Sequence, residues 1–355
     1  MEMNSRERVL AAINHQPVDR VPTDIWATPE VWTKLKAHFG TEDTARISAL
    51  LHIDGLAGVG PKYVGPPLPA CPPGEEVDVW GIRRKKVDYG TGEYSEMTLN
   101  PLAEARAIHD LDKYNWPRAD WWDYSGMKAA AQAVHDKKVV ACGYMAPFYY
   151  HNLTRGLELS LMDPLLEPEL TREIVRRISE FFLDHHRRMF EAADGLIDTT
   201  QVTDDLGTQH GPMISLDIWR TCYKPWMKRC IDLAHGFGIK VFHHDDGAIR
   251  AFIPELVEMG IDILNPIQWR CPGMDRAALK RDFGRRLCFH GAVDNQQTLP
   301  FSSADEVRRE VRENIAVLAA DKTGYILAPC HNIQAVTPVE NIVAMYDEAW
   351  QSGKL

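Results

Sequence analysis

The fold is decided by residues 239–267, which read IKVFHHDDGAIRAFIPELVEMGIDILNPI. Two short apolar runs, 239–243 and 261–267, enclose an amphipathic segment over 249–259 whose apolar residues recur with the period of a helix. Strands of about five residues that are joined by a helix pair in parallel through a right-handed crossover. This stretch therefore predicts a βαβ unit, with the polar residues His244 and Asp246 directly after its first strand.

The same alternation of short apolar runs and amphipathic segments continues along the chain. The predicted strands cover 21–26, a weakly marked segment near 53–59, 139–144, 195–202, 239–243, 261–267, 287–293 and 325–328, and the helices between them cover 168–193, 215–237, 249–259, 275–283, 303–320 and 338–350. Eight strands that alternate with helices favour an α/β fold closed into a (β/α)8 TIM barrel over an open sheet. No glycine-rich loop such as GxGxxG follows a strand, which argues against the usual nucleotide-binding folds.

The first third of the chain departs from this alternation. Residues 61–74 contain six prolines, which predict a loop because proline lacks a backbone donor and fixes φ. Residues 78–96 alternate around Gly90-Thr91-Gly92, which predicts a hairpin, and a helical stretch is expected from Asn100 to near Trp116. We predict one domain over residues 1–355, with 60–120 forming a rim or lid on the barrel.

Composition limits the partners and the compartment. Fifty acidic and forty basic residues give a net charge of -10, which would repel nucleic acid over most of the surface. The start of the sequence lacks the apolar core of a signal peptide, and no segment approaches the ~20 apolar residues that cross a bilayer. We therefore expect a cytoplasmic protein without a membrane partner. Its seven cysteines are irregularly spaced and are expected to be reduced thiols.

Polar residues follow nearly every predicted strand. Barrel enzymes build their sites from the carboxyl ends of the strands, so these residues should meet at one mouth. They are Asp204, Asp205, Gln209, His244, Asp245, Asp246, Gln268, Asp294, Asn295, Gln296, Cys330, His331 and Asn332. Residues two apart in an extended segment point the same way, so His244 and Asp246 could face one ion, joined by His331 or Cys330. Imidazole, carboxylate and a second imidazole or thiolate suit a divalent first-row metal, of which zinc is our expectation.

Structural interpretations of the same residues stay open. His244 could only cap a strand end, and Asp246-Gly247 could only form a turn. Cys330 could be a packed thiol. The adjacent His185 and His186 lie in a helical run, cannot face one ion, and are expected to be solvated.

Several segments, in order along nearly the whole chain, are similar to motifs of one superfamily. They are Asn4-Ser5-Arg6-Glu7-Arg8-Val9, Asp19-Arg20-Val21-Pro22, Arg155-Gly156-Leu157-Glu158 with Asp163, Asp204-Asp205-Leu206-Gly207, His244-Asp245-Asp246-Gly247, Gly291-Ala292-Val293-Asp294, Ala328-Pro329-Cys330-His331-Asn332-Ile333 and Thr337-Pro338-Val339-Glu340-Asn341-Ile342. Together they resemble the uroporphyrinogen decarboxylase superfamily, which includes the cobalamin-dependent methyltransferases that act on methyl-corrinoid proteins. The resemblance implies a (β/α)8 barrel.

The departures from that pattern narrow the expected activity. True uroporphyrinogen decarboxylases carry arginines after the first strand to hold a polycarboxylate substrate, whereas residues 26–30 here read WATPE. The methyltransferase branch binds zinc with HxCG and a later cysteine. Here Asp246 stands at the first cysteine position, and Cys330 or its neighbour His331 at the second. A carboxylate makes the site harder, which favours a methoxylated or hydroxylated substrate over a thiol such as coenzyme M.

These features lead to the hypothesis of a metal-dependent methyltransferase or O-demethylase component. It would move a methyl group between a small substrate and a corrinoid, which a separate protein must supply because the chain has no DxHxxG segment. The expected catalytic residues are Asp205, His244 and Asp294, and the expected substrate-binding residues are Trp26, Tyr150, Gln209, Gln268 and His290. The resemblance also implies a homodimer. The alternatives are a cofactor-independent decarboxylase or metal-dependent lyase on a small polar or sugar-like substrate, and a binding protein without catalysis.

Overall fold

A parallel β-sheet surrounded by helices forms the centre of the computed structural model, which describes residues 2–88, 90 and 92–354. The strands, in chain order, are β1 (Leu56–Gly58), β2 (Lys62–Tyr63), β3 (Glu75–Val77), β4 (Arg83–Asp88), β5 (Glu93–Leu99), β6 (Trp122–Asp123), β7 (Val139–Met145), β8 (Thr199–Val202), β9 (Lys240–His244), β10 (Ile263–Asn265), β11 (Cys288–Val293) and β12 (Tyr325–Pro329). Within the described residues the main sheet has seven strands in the order β1-β7-β8-β9-β10-β11-β12. This confirms the predicted α/β barrel class.

Helices follow the strands and cover the outside of the sheet. They are α1 (Ser5–Ile13), α2 (Pro29–Phe39), α3 (Thr44–Leu50), α4 (Met127–His135), α5 (Pro147–Arg155), α6 (Leu157–Leu166), α7 (Pro168–Ala193), α8 (Leu216–Cys222), α9 (Lys224–Gly236), α10 (Ile253–Met259), α11 (Arg276–Phe283), α12 (Thr298–Phe301), α13 (Ala304–Leu318) and α14 (Val339–Ser352). Capping boxes begin α1 at Asn4 and α13 at Ser303. In residues 2–88, 90 and 92–354, none of the helices combines the length and the apolar character needed to cross a membrane.

The eighth position of the barrel is occupied by an irregular segment. We predicted a strand over 21–26, but the segment forms only isolated parallel bridges, Thr23 to Leu327 and Ala27 to Ile333. The regular-strand prediction is wrong because Pro22 has no N–H to donate, and the Asp24 carboxylate accepts the N–H of the next residue. The segment still lies beside β12. On its other side, the Thr23 carbonyl accepts the N–H groups of Asp54 and Gly55, which directly precede β1.

A buried ion cluster closes the barrel at this point. The Asp54 carboxylate is fully buried and accepts hydrogen bonds from Arg8 at 2.7 Å and from Arg20 at 2.8 and 2.9 Å. It also accepts the Thr23 N–H at 3.1 Å. One carboxylate therefore ties α1, the irregular segment and the loop before β1 together. Arg8 and Arg20 belong to the N-terminal motifs singled out in the sequence.

Residues 60–120 form an antiparallel rim. Strands β3, β4 and β5 make a three-stranded sheet, which includes the predicted hairpin, and β2 pairs with β6. The tip of the hairpin at Tyr89 and Thr91 lies outside the described residues. The side chain of Trp80 is buried and its ring lies 5.0 to 5.6 Å from those of Tyr150, Phe181 and Phe182. This aromatic contact fixes the rim to α5 and α7. The proline-rich stretch is mostly loop, as predicted, but contains β2.

The predicted helix from Asn100 to Trp116 is wrong. The structure has turns there, followed by a 3-10 helix over Ile108–Lys113. The buried Arg155 guanidinium takes the carbonyls of Leu102, Ala103 and Ala105, which a helix would need for its own bonds. Arg155 also pairs with Asp163 at 2.6 Å. Arg155, which belongs to one of the family-like sequence motifs, therefore holds the rim in an irregular conformation.

Replacing Asp54 tests the closing ion cluster. Asp54→Asn would leave two buried guanidinium groups without their carboxylate, so we expect the free energy of unfolding to fall by about 3 to 5 kcal/mol. Asp184→Asn is the control, because Asp184 and Arg188 form a surface pair with about half of each side chain exposed. That variant should lose less than about 1 kcal/mol. Urea denaturation measures both, and equal losses would show that the cluster does not hold the barrel closed.

Candidate functional site

Three side chains from the carboxyl ends of two strands meet at the barrel mouth. His244 ends β9, Asp246 follows it, and His331 follows β12. The Asp246 Oδ2 atom lies 3.7 Å from Nε2 of His244 and 3.7 Å from Nε2 of His331. One ligand atom from each of the three residues lies within 4.8 Å of the others, and each residue is partly exposed. Of the predicted metal ligands, the structure brings these three together.

The geometry fits a small divalent ion. Ligand atoms around a tetrahedral zinc ion with bonds of about 2.0 Å are separated by about 3.3 Å, so the two 3.7 Å distances need little contraction. The Oδ1 atom of Asp246 is buried and has no hydrogen-bond partner in the described part of the chain. A buried carboxylate oxygen without a protein partner is usually satisfied by a cation or a water molecule. Two imidazoles and one carboxylate would leave one position of a tetrahedral ion open.

A tight turn positions Asp246. The backbone of Gly247 has φ +83°, and Oδ1 of the buried Asp245 accepts the N–H groups of Leu206 and Gly207. A Cβ at Gly207 would lie 2.0 Å from the Asp246 carbonyl oxygen, so the two loops approach closely only because that residue is glycine. The Asp-Gly pair therefore forms a turn and also directs the Asp246 carboxylate towards the two histidines.

Burial dominates the electrostatics of this group. It raises the pKa of Asp246, and the neighbouring His244 and His331 oppose that rise. It also lowers the pKa of His331, while Asp246 acts in the opposite direction. The lowered pKa favours the neutral His331 imidazole, which is the form that binds a metal.

A line of hydrogen-bonded side chains lies behind His244. Its Nδ1 atom lies 2.5 Å from Oδ1 of Asn265, whose Nδ2 atom lies 2.7 Å from Nδ1 of His290. The Nε2 atom of His290 lies 3.0 Å from Oδ2 of Asp24. Sequence reasoning named His244 and His290 but missed Asn265 and Asp24. The available signal was a polar residue inside each of two apolar runs, DILNPI and VPTDIW.

The two acidic residues after β8 have different surroundings. Asp204 is buried, and its carboxylate accepts the N–H groups of Phe148 and Tyr149 at the start of α5. Asp205 is partly exposed, and burial, with added repulsion from Asp245 and Asp246, raises its pKa to about 6. Asp204 therefore holds the start of α5, whereas Asp205 has a raised pKa and interacts electrostatically with Asp246 and His244.

Asp294 and Cys330 lie to one side of this group. The Asp294 carboxylate pairs with Arg270 at 2.6 Å and accepts the Gln296 and Thr298 N–H groups. The Cys330 thiol is buried, contacts the Ile267 carbonyl at 3.3 Å, and burial raises its pKa well above the ordinary value. Both residues line a small cavity of about 10 Å³. Its lining residues are Gln268, Trp269, Arg270, Cys271, Asp294, Asn295, Gln296 and Cys330.

The predicted substrate-binding residues lie in different places, and the structure buries one of them, His290, completely. The Trp26 ring lies 5.4 Å from that of His244 and 5.9 Å from that of His290. Gln268 accepts the Gly247 N–H at 2.6 Å, and Gln209 lies 3.5 Å from the Cys271 thiol. Tyr150 packs under the rim against Trp80. His186, which we expected to be solvated, is fully buried and its Nδ1 atom contacts the Phe182 carbonyl, so that expectation is wrong.

Comparisons with known structures bear on the fold. A methyltransferase from Methanosarcina mazei superposes with a TM-score of 0.66 at 18% identity, over 99% of each chain. A B12-independent methionine synthase from Shewanella sp. gives a TM-score of 0.49 at 12% identity, over 94% of this chain and 97% of that one. At such identities the likeness concerns the fold alone. A search of the curated proteins found no match.

The comparison with family models is more specific. The model of the family described as uroporphyrinogen decarboxylase (URO-D) matches residues 84–351. This match spans well over half of the chain, from the rim hairpin to the last helix, and includes His244, Asp246 and His331. The chain belongs to the uroporphyrinogen decarboxylase (URO-D) family.

Proposed function

We propose that this protein is a metal-dependent methyltransferase that moves a methyl group between a small methoxylated or hydroxylated substrate and a corrinoid carried by a separate protein. The observation that carries the proposal is the group of His244, Asp246 and His331 at the barrel mouth. The overall likeness to a solved structure named as a methyltransferase agrees with it. We further propose that the protein acts in the cytoplasm.

The donor set favours oxygen chemistry. Two imidazole nitrogens and a carboxylate oxygen form a harder site than one built on thiolates, so an ether or alcohol oxygen is the preferred fourth ligand. When bound at these residues, zinc supplies Lewis acidity that makes such an oxygen a better leaving group. His244, Asp246 and His331 would hold the metal, and the Trp26 ring lies 5.4 Å from that of His244.

Asp205 is the proposed proton carrier. Its raised pKa of about 6 keeps part of the carboxyl groups protonated close to neutral pH. A carboxyl group with such a pKa can donate a proton to the leaving oxygen and take one back in the reverse direction. Asp294, which pairs with Arg270, has a positioning role beside the cavity. A metal-dependent lyase would use the same Asp205 carboxyl as an acid. Lyase activity is therefore the second candidate function.

Metal binding is the first test. We expect the purified protein to bind zinc stoichiometrically, and His244→Ala to weaken the affinity at least about a hundredfold because one of three ligands is lost. Cys330→Ser should keep the wild-type affinity, since its sulfur contacts the Ile267 carbonyl. His109→Ala, at a side chain that is 76% exposed, is the control. Competition titrations with a chromophoric chelator measure all four proteins, and wild-type affinity in His244→Ala would exclude this site.

Methyl transfer is the second test. We expect an absorbance change from cob(I)alamin to methylcobalamin when zinc-loaded protein is mixed with a corrinoid protein that carries cob(I)alamin and with a methoxylated substrate. The substrates tested are a series of aromatic and aliphatic methyl ethers. His331→Ala should abolish that change, whereas His109→Ala should keep it. Zinc binding without any cobalt spectral change across the series would reject methyl transfer and favour the lyase, which product analysis on hydroxylated substrates would then detect.

The titration of Asp205 has a predictable effect on stability. Its folded-state pKa of about 6 exceeds the ordinary 3.8, so the folded protein favours the protonated form and loses this stabilisation as pH rises through 6. Metal-free Asp205→Asn should therefore exceed the wild type in stability at pH 8 by about 1 to 3 kcal/mol. The difference should vanish towards pH 4. Asp136→Asn, at a side chain that is 98% exposed, should show no such trend in urea denaturation.

A further inference from the structure

We propose that Asp24 acts as a positioning residue for the metal centre, by fixing the tautomer of His244 through His290 and Asn265. The tautomer is the one with the proton on Nδ1, which leaves the Nε2 lone pair free to bind the ion. The inference rests on the proposed metal site and names the residues that prepare one of its ligands.

The chain of contacts is continuous and largely buried. It runs from Asp24 to His290 at 3.0 Å, from His290 to Asn265 at 2.7 Å, and from Asn265 to His244 at 2.5 Å. Asn265 and His290 are fully buried, and Asp24 is 6% exposed. Because water has little access to Asn265 and His290, each of these groups must match the donor or acceptor character of its neighbours.

Asp24 can only accept hydrogen bonds, and this determines which atom is the donor in each later bond of the line. The Asp24 carboxylate accepts the Trp26 indole N–H at Oδ2 and the Ile25 N–H at Oδ1, so it acts as an acceptor throughout. The Nε2 atom of His290 must then carry a proton and donate it to Oδ2. In the neutral ring the Nδ1 atom of His290 is consequently an acceptor.

The amide of Asn265 extends the same donor-to-acceptor order from His290 to His244. Its Nδ2 donates to Nδ1 of His290 and also points at the His290 carbonyl oxygen, 3.4 Å away, which can only accept. Its Oδ1 therefore faces His244 and accepts a proton from Nδ1. A flipped amide would set its oxygen against that carbonyl and would leave a lone pair of His290 facing the Asp24 carboxylate. Both contacts are repulsive, so the observed orientation is the one the pocket stabilises.

An amide at the centre also limits what the chain can transmit. Asn265 does not gain or lose a proton near neutral pH, whereas an aspartate or histidine in its place could. The chain thus fixes the orientation and protonation of His244 without conducting protons between Asp24 and the mouth. Partners of this kind behind a metal-binding histidine typically change metal affinity roughly tenfold to a hundredfold when they are removed.

The tautomers can be read directly in the metal-free protein. Long-range ¹⁵N–¹H correlation spectra at neutral pH should show His244 protonated on Nδ1 and His290 protonated on Nε2. In Asp24→Asn the side chain offers a donor as well as an acceptor, so we expect His290 and His244 to lose their single tautomers and the zinc affinity to fall roughly tenfold to a hundredfold. Tyr346→Phe is the matched control, because its hydroxyl donates to the Asp24 backbone carbonyl and touches no side chain of the line.

A second variant keeps the proposal testable if Asp24→Asn folds poorly. Asn265→Asp places an acceptor against both histidines, so His244 should keep its Nδ1 proton while His290 changes its protonation. Wild-type His244 protonated on Nε2, or unchanged tautomers and zinc affinity in Asp24→Asn, would overturn the inference. The spectra are recorded without metal or substrate, so they test the tautomer of His244 even if the protein does not transfer methyl groups. Conversely, a His244 tautomer other than the expected one would not decide the outcome of the methyl-transfer assay.

Discussion

The buried carboxylate of Asp54 is the interaction on which the rest of the structure depends. It neutralises Arg8 and Arg20 and binds the backbone at Thr23, and so it holds the irregular segment against the barrel where a regular strand would otherwise pair. That placement brings Asp24 into the interior of the barrel. The line of contacts to His244 begins there, so the irregular segment connects the ion cluster to the residues of the mouth.

Buried charge has two different uses in this molecule. At Asp54 every carboxylate contact is satisfied by guanidinium or backbone N–H groups, which is the arrangement that makes a buried ion pair tolerable. At Asp246 the nearest groups are two imidazoles at 3.7 Å, and one carboxylate oxygen is without a partner in the described residues. The first arrangement contributes to folding. The second keeps a site incomplete until a ligand arrives, as is common where function competes with stability.

The sequence predicted most of the barrel because apolar periodicity reports burial, and β1 and all six strands from β7 to β12 overlap predicted runs. It failed where a long-range contact overrides local preference. The carbonyls around Leu102 bind Arg155 instead of forming a helix, and no local pattern records this partner, which is about fifty residues away. At the mouth, the spacing of His244 and Asp246 pointed to one site, although a turn beyond the end of β9 directs Asp246 there and not the strand itself. The role of Asn265 was not readable from the sequence, since it depends on two neighbours that only the folded barrel brings to it.

The irregular eighth segment has a consequence for how such a barrel can diverge. Residues 21–28 contact the sheet through isolated bridges, so their side chains are not bound to the alternation that a regular ladder imposes. The side chains of this segment that lie outside the Asp54 ion cluster can then change while the seven strands of the main sheet keep their register. Specificity can diverge at these positions without a change in any paired strand.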